Sequence, residues 1–187
     1  MNLDDFIWIS EDKLSEDFCE HCIEKFNKDP SRYQGRIGMN EVRLEIKQSI
    51  DLTISDPNTV SYWKEEDKIF FDSLHNALEL YKEYVPEEMR KAVLNNDTQD
   101  CGYQIQRTEP GGFYHWHQDQ IDNRKLTYIW YLNDVVEDGY TEFITGKRVQ
   151  PKRGRMMIFP ALWPWVHRGY PPKSEIKYIV TGWTTSD

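Results

Sequence analysis

The spacing of apolar residues along the chain changes character once. Leu14, Phe18, Cys22, Ile23 and Phe26 recur at helical intervals, and Ser15 is suited to cap a helix start, so the pattern predicts a helix near 15–28. Ile69, Phe70, Leu74, Ala77, Leu78 and Tyr81 form a second stripe ended by Pro86, which predicts a longer helix near 63–85. From Gly102 onward the runs shorten and become β-prone: "YQIQRT", "GFYHWHQ", "LTYIWYL", "TEFI", "RMMIFP" and "IKYIVTGWT", separated by Gly, Pro, Asn and Asp. Such runs without intervening helices predict an antiparallel barrel or a two-sheet jelly roll. Residues 1–100 then read as mostly helical or irregular support, and residues 101–187 as the core of one integrated domain. Between the helices, residues 36–54 are charged and weakly patterned, which fits either a strand or a mobile flap that serves as a lid.

Charge narrows the partners. With 32 acidic against 23 basic residues the net charge is -9, which would repel a nucleic-acid backbone or an anionic membrane surface. A neutral, basic or small partner is expected instead. No basic leader with an apolar core opens the chain and no apolar run is long enough for a bilayer, so the expectation is a soluble, cytoplasmic protein. At 187 residues it suits a monomer with a single sizeable core. Cys19, Cys22 and Cys101 are an odd number without repeated spacing, which argues for a reducing compartment. Cys19-x-x-Cys22 falls on the predicted helix face, where packing explains it better than a metal knuckle.

The chemistry concentrates in "YHWHQDQ", residues 114–120. On a strand, His115, His117 and Asp119 share one face while Trp116 and Gln118 take the other. His117 and Asp119 could then reach one metal ion. The third ligand must come from another strand, and of the five histidines His21 and His75 fall on the predicted helices, which leaves His167. Two imidazoles and one carboxylate leave coordination positions open, the arrangement of non-haem Fe(II) oxygenases. Exposed polar side chains, or zinc held by His115, His117 and His167, fit the same residues.

The surrounding motifs add a resemblance. "TEPGGFYHWHQD" is similar to a YxxGxxYxxHxD pattern through Gly111, Tyr114, His117 and Asp119, and "RKLTYIWYLN" matches RxxTxxxYLN through Arg124, Thr127, Tyr131, Leu132 and Asn133. "DGYTEF" keeps Gly139, Thr141 and Phe143 of a GGxTxF element, and "VQPKRGRMMIF" follows in order. Lys177 stands ten positions beyond His167, and Trp183 six beyond that. Residues 103–183 thereby resemble the 2-oxoglutarate/Fe(II)-dependent oxygenases, within them the prolyl 4-hydroxylase-like branch.

The resemblance implies an α+β fold, a double-stranded β-helix (a jelly-roll or cupin-like barrel) buttressed by the N-terminal helices. It implies a catalytic Fe(II) on His117, Asp119 and His167, with 2-oxoglutarate chelating it and reaching Lys177 through its C5 carboxylate. That pairing would account for a lysine in a barrel interior, where an unpaired charge is costly. Tyr131, Thr181 and Trp183 would share the cosubstrate's surroundings, and Tyr114 would lie near the metal. Thr108 stands where the family has a tyrosine, and Tyr103 is a candidate to compensate. Arg107, Arg168, Trp116, Trp163 and Trp165 are candidates for substrate contact, with packing an equal alternative for the tryptophans of "LWPWV".

The activity so implied is hydroxylation of peptidyl proline in a protein or peptide, using O2, coupled to decarboxylation of 2-oxoglutarate, with ascorbate as reductant. A hydroxylase of a free amino acid or other small molecule, and a catalytically silent metal-binding module, are the alternatives. Lys177 and Tyr131, useless to a mere metal binder, favour the enzyme.

Overall fold

The computed structural model describes residues 2–38, 40–87, 90, 99–121 and 123–185. A 3-10 turn over Leu3–Phe6 leads into β1 (Trp8–Ser10), α1 (Glu16–Lys28), β2 (Tyr33–Gln34), β3 (Ile50–Thr53) and α2 (Lys64–Tyr84). The remaining strands are β4 (Gln99–Asp100), β5 (Gln104–Thr108), β6 (Tyr114–His117), β7 (Arg124–Tyr131), β8 (Thr141–Phe143), β9 (Arg148–Val149), β10 (Met156–Pro160), β11 (His167–Gly169) and β12 (Lys177–Thr185).

Both helices form where the periodicity placed them. Ser15 Oγ accepts a hydrogen bond from the Phe18 amide, and α1 buries Cys19, Cys22 and Phe26. The thiols behave as small apolar groups, with burial pushing Cys19 up to about 11. α2 buries Phe70, Leu74, Ala77 and Tyr81, but Ile69, counted in the same stripe, is 43% exposed. The buried face is rotated toward Glu66, whose carboxylate is held at 2.8 Å by Lys25 of α1. That ion pair clamps the two helices together.

Every strand pairing is antiparallel. The larger sheet runs β1-β10-β7-β12-β5-β3-β2, with β4 on β12, and the smaller runs β6-β11-β8-β9. Alternation gives the larger sheet two different faces. Leu126, Tyr128 and Trp130 of β7, Met156 and Ile158 of β10, and Tyr178 and Val180 of β12 pack against the helices. Ile129 and Tyr131 of β7 and Met157 and Phe159 of β10 point the other way, meeting Phe143 and Val149 of the smaller sheet. The two sheets therefore enclose a core of their own, as a double-stranded β-helix requires, with the helices on the outside of the larger one.

The N-terminal part contributes more strand than its pattern suggested. β1, β2 and β3 lie within residues expected to be helical or irregular, and they extend both edges of the larger sheet. Segments of two to four residues are too short to display a period. Residues 36–54 form a strand in part. β3 is a strand, and residues 46–48 are fastened to β6 by bonds from the His115 amide to Ile46 O and from the Gln48 amide to Phe113 O. Val42 and Leu44 stand about half exposed, Leu44 on a turn.

Candidate metal centre and adjoining pocket

His117 ends β6, His167 begins β11, and the two residues face each other across an antiparallel register. Asp119 follows two residues after His117, and the Thr127 hydroxyl donates to its Oδ2 at 2.7 Å. His117 Nε2 lies 3.6 Å from Asp119 Oδ1, and His167 Nε2 lies 3.6 Å from Asp119 Oδ2. One donor atom from each of the three residues falls within 4.8 Å of the others. These are the three residues that the sequence picked out.

The chemistry of the donor set fits a divalent first-row metal. His117 Nδ1 donates to His115 O at 2.7 Å, and His167 Nδ1 donates to Trp165 O at 3.1 Å. Each bond fixes a tautomer with the Nε2 lone pair turned toward Asp119, the orientation a metal-binding imidazole needs. Burial, reinforced by repulsion from His167, holds His117 well below its ordinary value and so keeps it neutral. Burial also works to raise the Asp119 carboxyl, but His167, His117 and the Thr127 hydrogen bond hold it below the usual carboxylate range.

His115 does not join them. Strict alternation would put it on the face of His117, but the β6–β11 register shifts between His167 and Gly169. This irregularity lets Tyr114 and His117 face the pocket together, with ring centroids 3.6 Å apart and nearly parallel. His115 is left exposed against Phe113, so a zinc set of His115, His117 and His167 does not form.

The pocket beside the donors is lined from both sheets. Lys177, Ile179, Thr181 and Trp183 come from β12, Gln106 and Thr108 from β5, and Ile129 from β7. Lys177 is 5% exposed, donates to Gly139 O at 3.0 Å, and has no carboxylate partner within ion-pair distance among the described residues. Desolvation by burial lowers its pKa from 10.5 to about 8. An ammonium so placed lacks a counter-charge, and the pocket is where one can enter.

The other expected cosubstrate contacts divide. Thr181 lines the pocket, with its hydroxyl donating to Tyr128 O at 3.0 Å. Tyr131 is wholly buried and stands one step back, its hydroxyl 2.8 Å from that of Thr141, which lines the pocket. Trp183 lines the pocket on the Asp119 side, where its indole N–H helps to hold that carboxyl low. Arg124 stacks on that indole at 3.6 Å.

Tyr103 is a correction. It sits on the helix side of the larger sheet, against Phe70, Tyr128 and Trp130, and cannot replace the tyrosine missing at Thr108. The reason is parity, because the inner face of β5 carries Gln104, Gln106 and Thr108. Lys47 and Ser49 complete the wall there. Both were missed, since a buried lysine paired with Asp51 at 2.6 Å looks in sequence like an ordinary surface charge. Asn133 of the "YLN" motif has a structural task, accepting from the Tyr178 amide and donating to Ile176 O, and so pins the start of the strand that carries Lys177.

None of the five residues proposed for substrate contact lines this pocket. Trp165 packs edge-on against Phe6 and donates to Leu3 O. Arg107 pairs with Glu109, and Trp116 and Arg168 stack on each other at 4.6 Å. Trp163 is 70% exposed.

Residues 103–185 match the model of the 2OG-Fe(II) oxygenase superfamily. No curated protein matches the chain. Among solved structures, the chain is similar to the viral collagen prolyl hydroxylase of Paramecium bursaria Chlorella virus-1 in its 2OG complex, with a TM-score of 0.70, 19% identity and 97% of each chain covered. A Pseudomonas putida prolyl-4-hydroxylase gives a TM-score of 0.69 at 16% identity, covering 96% of this chain and 92% of that one. A Trichoplax adhaerens prolyl hydroxylase in complex with a peptide fragment of the hypoxia inducible factor oxygen degradation domain gives 0.71 at 15%, covering 97% and 84%.

Proposed function

We infer that this chain, whose residues 103–185 match the model of the 2OG-Fe(II) oxygenase superfamily, is a 2-oxoglutarate-dependent dioxygenase that hydroxylates peptidyl proline. The observation that carries the reading is one pocket holding both a two-histidine, one-carboxylate donor set and a buried lysine without a counter-charge. A metal-binding module has use for the first and none for the second. When bound, Fe(II) and 2-oxoglutarate supply the oxidation, in which O2 and the cosubstrate yield succinate and carbon dioxide as a C–H bond becomes C–OH.

The residues of the chain do the rest. His117, Asp119 and His167 would hold the metal, with the carbonyls of His115 and Trp165 fixing the imidazoles and Thr127 fixing the carboxylate. Lys177 would pair with the far carboxylate of 2-oxoglutarate, with Thr181 on the same strand lining the pocket, the Tyr131–Thr141 hydroxyl pair behind, and Trp183 supporting Asp119. Ile129, Ile179 and Phe113 keep the cavity wall apolar, which limits water around the reacting groups.

The same reading takes residues 1–100 as support and lid and 101–187 as the core, ascorbate as the reductant, and a cytoplasmic monomer as the working form. Among the described residues no helix is long and apolar enough to cross a membrane. With peptide and cosubstrate present, protease cleavage around the exposed Val42 and Leu44 is expected to slow, and unchanged cleavage removes the lid from the proposal. The activity is tested by succinate release from 2-oxoglutarate with Fe(II) and ascorbate. Proline-containing peptides should raise the rate and gain 16 Da, whereas stimulation by free amino acids alone would favour the small-molecule alternative.

A further inference from the structure

The inner face of the larger sheet does not end at the metal pocket. Beyond Ile179 and Thr181, the register places Gln106 beside Asp51 and Gln104 beside Thr53. Here the wall becomes a connected strip of uncharged polar groups. Gln106 Nε2 donates to Gln104 Oε1 at 2.6 Å, Gln104 Nε2 donates to Tyr33 Oη at 2.9 Å, and Tyr33 Oη lies 2.6 Å from Thr53 Oγ1. All four side chains are half-buried, Gln106 lines the metal pocket, and Tyr33 and Thr53 line a second depression with Arg36, Asn40 and Asp56. Gln106 Oε1 accepts no hydrogen bond among the described residues.

We propose that the strip from Gln106 through Gln104 to Tyr33 and Thr53 is the docking track for the main chain of an extended peptide substrate, leading its target residue to the metal pocket. The proposal rests on the dioxygenase reading and names the substrate class that the site selects. Charge makes the argument. Of the charged side chains lining the pocket, Lys47 is neutralised by Asp51, Asp119 belongs to the donor set, and Lys177 is reserved for the cosubstrate. Among the described residues lining that pocket, a free amino acid, carrying an ammonium and a carboxylate, finds no open charged partner for either. A peptide main chain is neutral and offers one donor and one acceptor per residue, which glutamine side chains, themselves donor and acceptor, can match. Residues i and i+2 on β5 are spaced by roughly 6.6 Å, the repeat at which alternate groups of an extended peptide turn to the same side.

The test uses the protein loaded with Mn(II) and 2-oxoglutarate, titrated with a proline-containing peptide capped at both ends and, separately, with free L-proline. Wild type should bind the capped peptide and not the amino acid. Gln104→Leu should weaken peptide binding about 5- to 10-fold, the worth of one to two hydrogen bonds, and Tyr33→Phe, which removes only a hydroxyl, about 2- to 3-fold. In turnover with Fe(II), both should raise the KM for peptide more than they lower kcat. If free proline binds as tightly as the peptide, or if the variants bind peptide like wild type, the track is overturned while the dioxygenase reading stands. If wild type binds 2-oxoglutarate but neither peptide nor proline, the peptidyl substrate itself is wrong and the track goes with it.

Discussion

His167→Ala should abolish metal binding and 2-oxoglutarate turnover, while His115→Ala leaves the affinity for metal near that of wild type. His167 supplies a donor that nothing else among the described residues can replace, since its Nε2 and that of His117 flank the two oxygens of one carboxylate. Removing only an outer partner of a ligating group costs roughly 10- to 100-fold in metal affinity, so losing a ligand should exceed about 100-fold. His115 offers a contrast within the same four-residue strand, because it contributes its carbonyl rather than its ring to the site. Calorimetric titration with Mn(II) reads both. His167 also packs between Phe143 and Phe159 at 4% exposure, so a thermal melt must accompany the alanine variant, with His167→Gln as the less disruptive partner. Wild-type affinity in folded His167→Ala, or loss of affinity in His115→Ala, would overturn the assignment of ligands.

What the sequence made legible follows from where a period or a fixed spacing existed. β7 and β12 are long enough for alternation to show, and their two faces serve two cores. The donor set could be read because two of its members lie two positions apart and the third was the one histidine left over on a strand. Alternation misplaced His115 because a register irregularity between β6 and β11 cannot be seen in one strand's own residues. Parity alone sends Tyr103, the candidate to compensate at Thr108, to the helix side. Lys47 and Asp51 were invisible for another reason. Their partnership joins a residue just before β3 to one within it, and two charges that neutralise each other in the interior leave no mark on composition.

The fold sorts its charged and polar groups by whether they are already satisfied. Lys47 with Asp51 and Ser49, Glu142 with Arg148 and Arg168, and Glu66 with Lys25 are closed ion pairs or networks, and closed networks hold a fold in place. The ammonium of Lys177 has no counter-charge, and it faces the same space as the three donors. Unsatisfied buried groups are destabilising unless a ligand completes them. That asymmetry is the physical mark of a binding site in this protein.

Lys177→Met tests that asymmetry through two effects of opposite sign. In the ligand-free protein the substitution should raise stability near neutral pH, because it replaces an uncompensated buried ammonium with an apolar chain of similar length. The lysine pKa is 10.5 when unperturbed and about 8 in the fold, a difference worth about 3 kcal/mol. The sign follows from proton counts. Between about pH 8 and 10.5 the unfolded chain holds the proton and the folded one does not, so stability rises with pH through that window. Below about 8 both states are protonated and the whole penalty is present, so the gain from Lys177→Met should be largest there and vanish above 10.5. Binding runs the other way. Removing one partner of a buried charge pair costs 2 kcal/mol or more, so affinity for 2-oxoglutarate should fall at least about 30-fold. In wild type, that affinity should hold steady below about pH 8 and then drop by up to tenfold per pH unit, since the neutral amine must first take up a proton. Urea unfolding with and without cosubstrate, across pH 6 to 10, measures all of this in one series. A variant that is less stable than wild type at pH 7 and binds 2-oxoglutarate equally well would make Lys177 a structural residue and leave the pocket without its anion site.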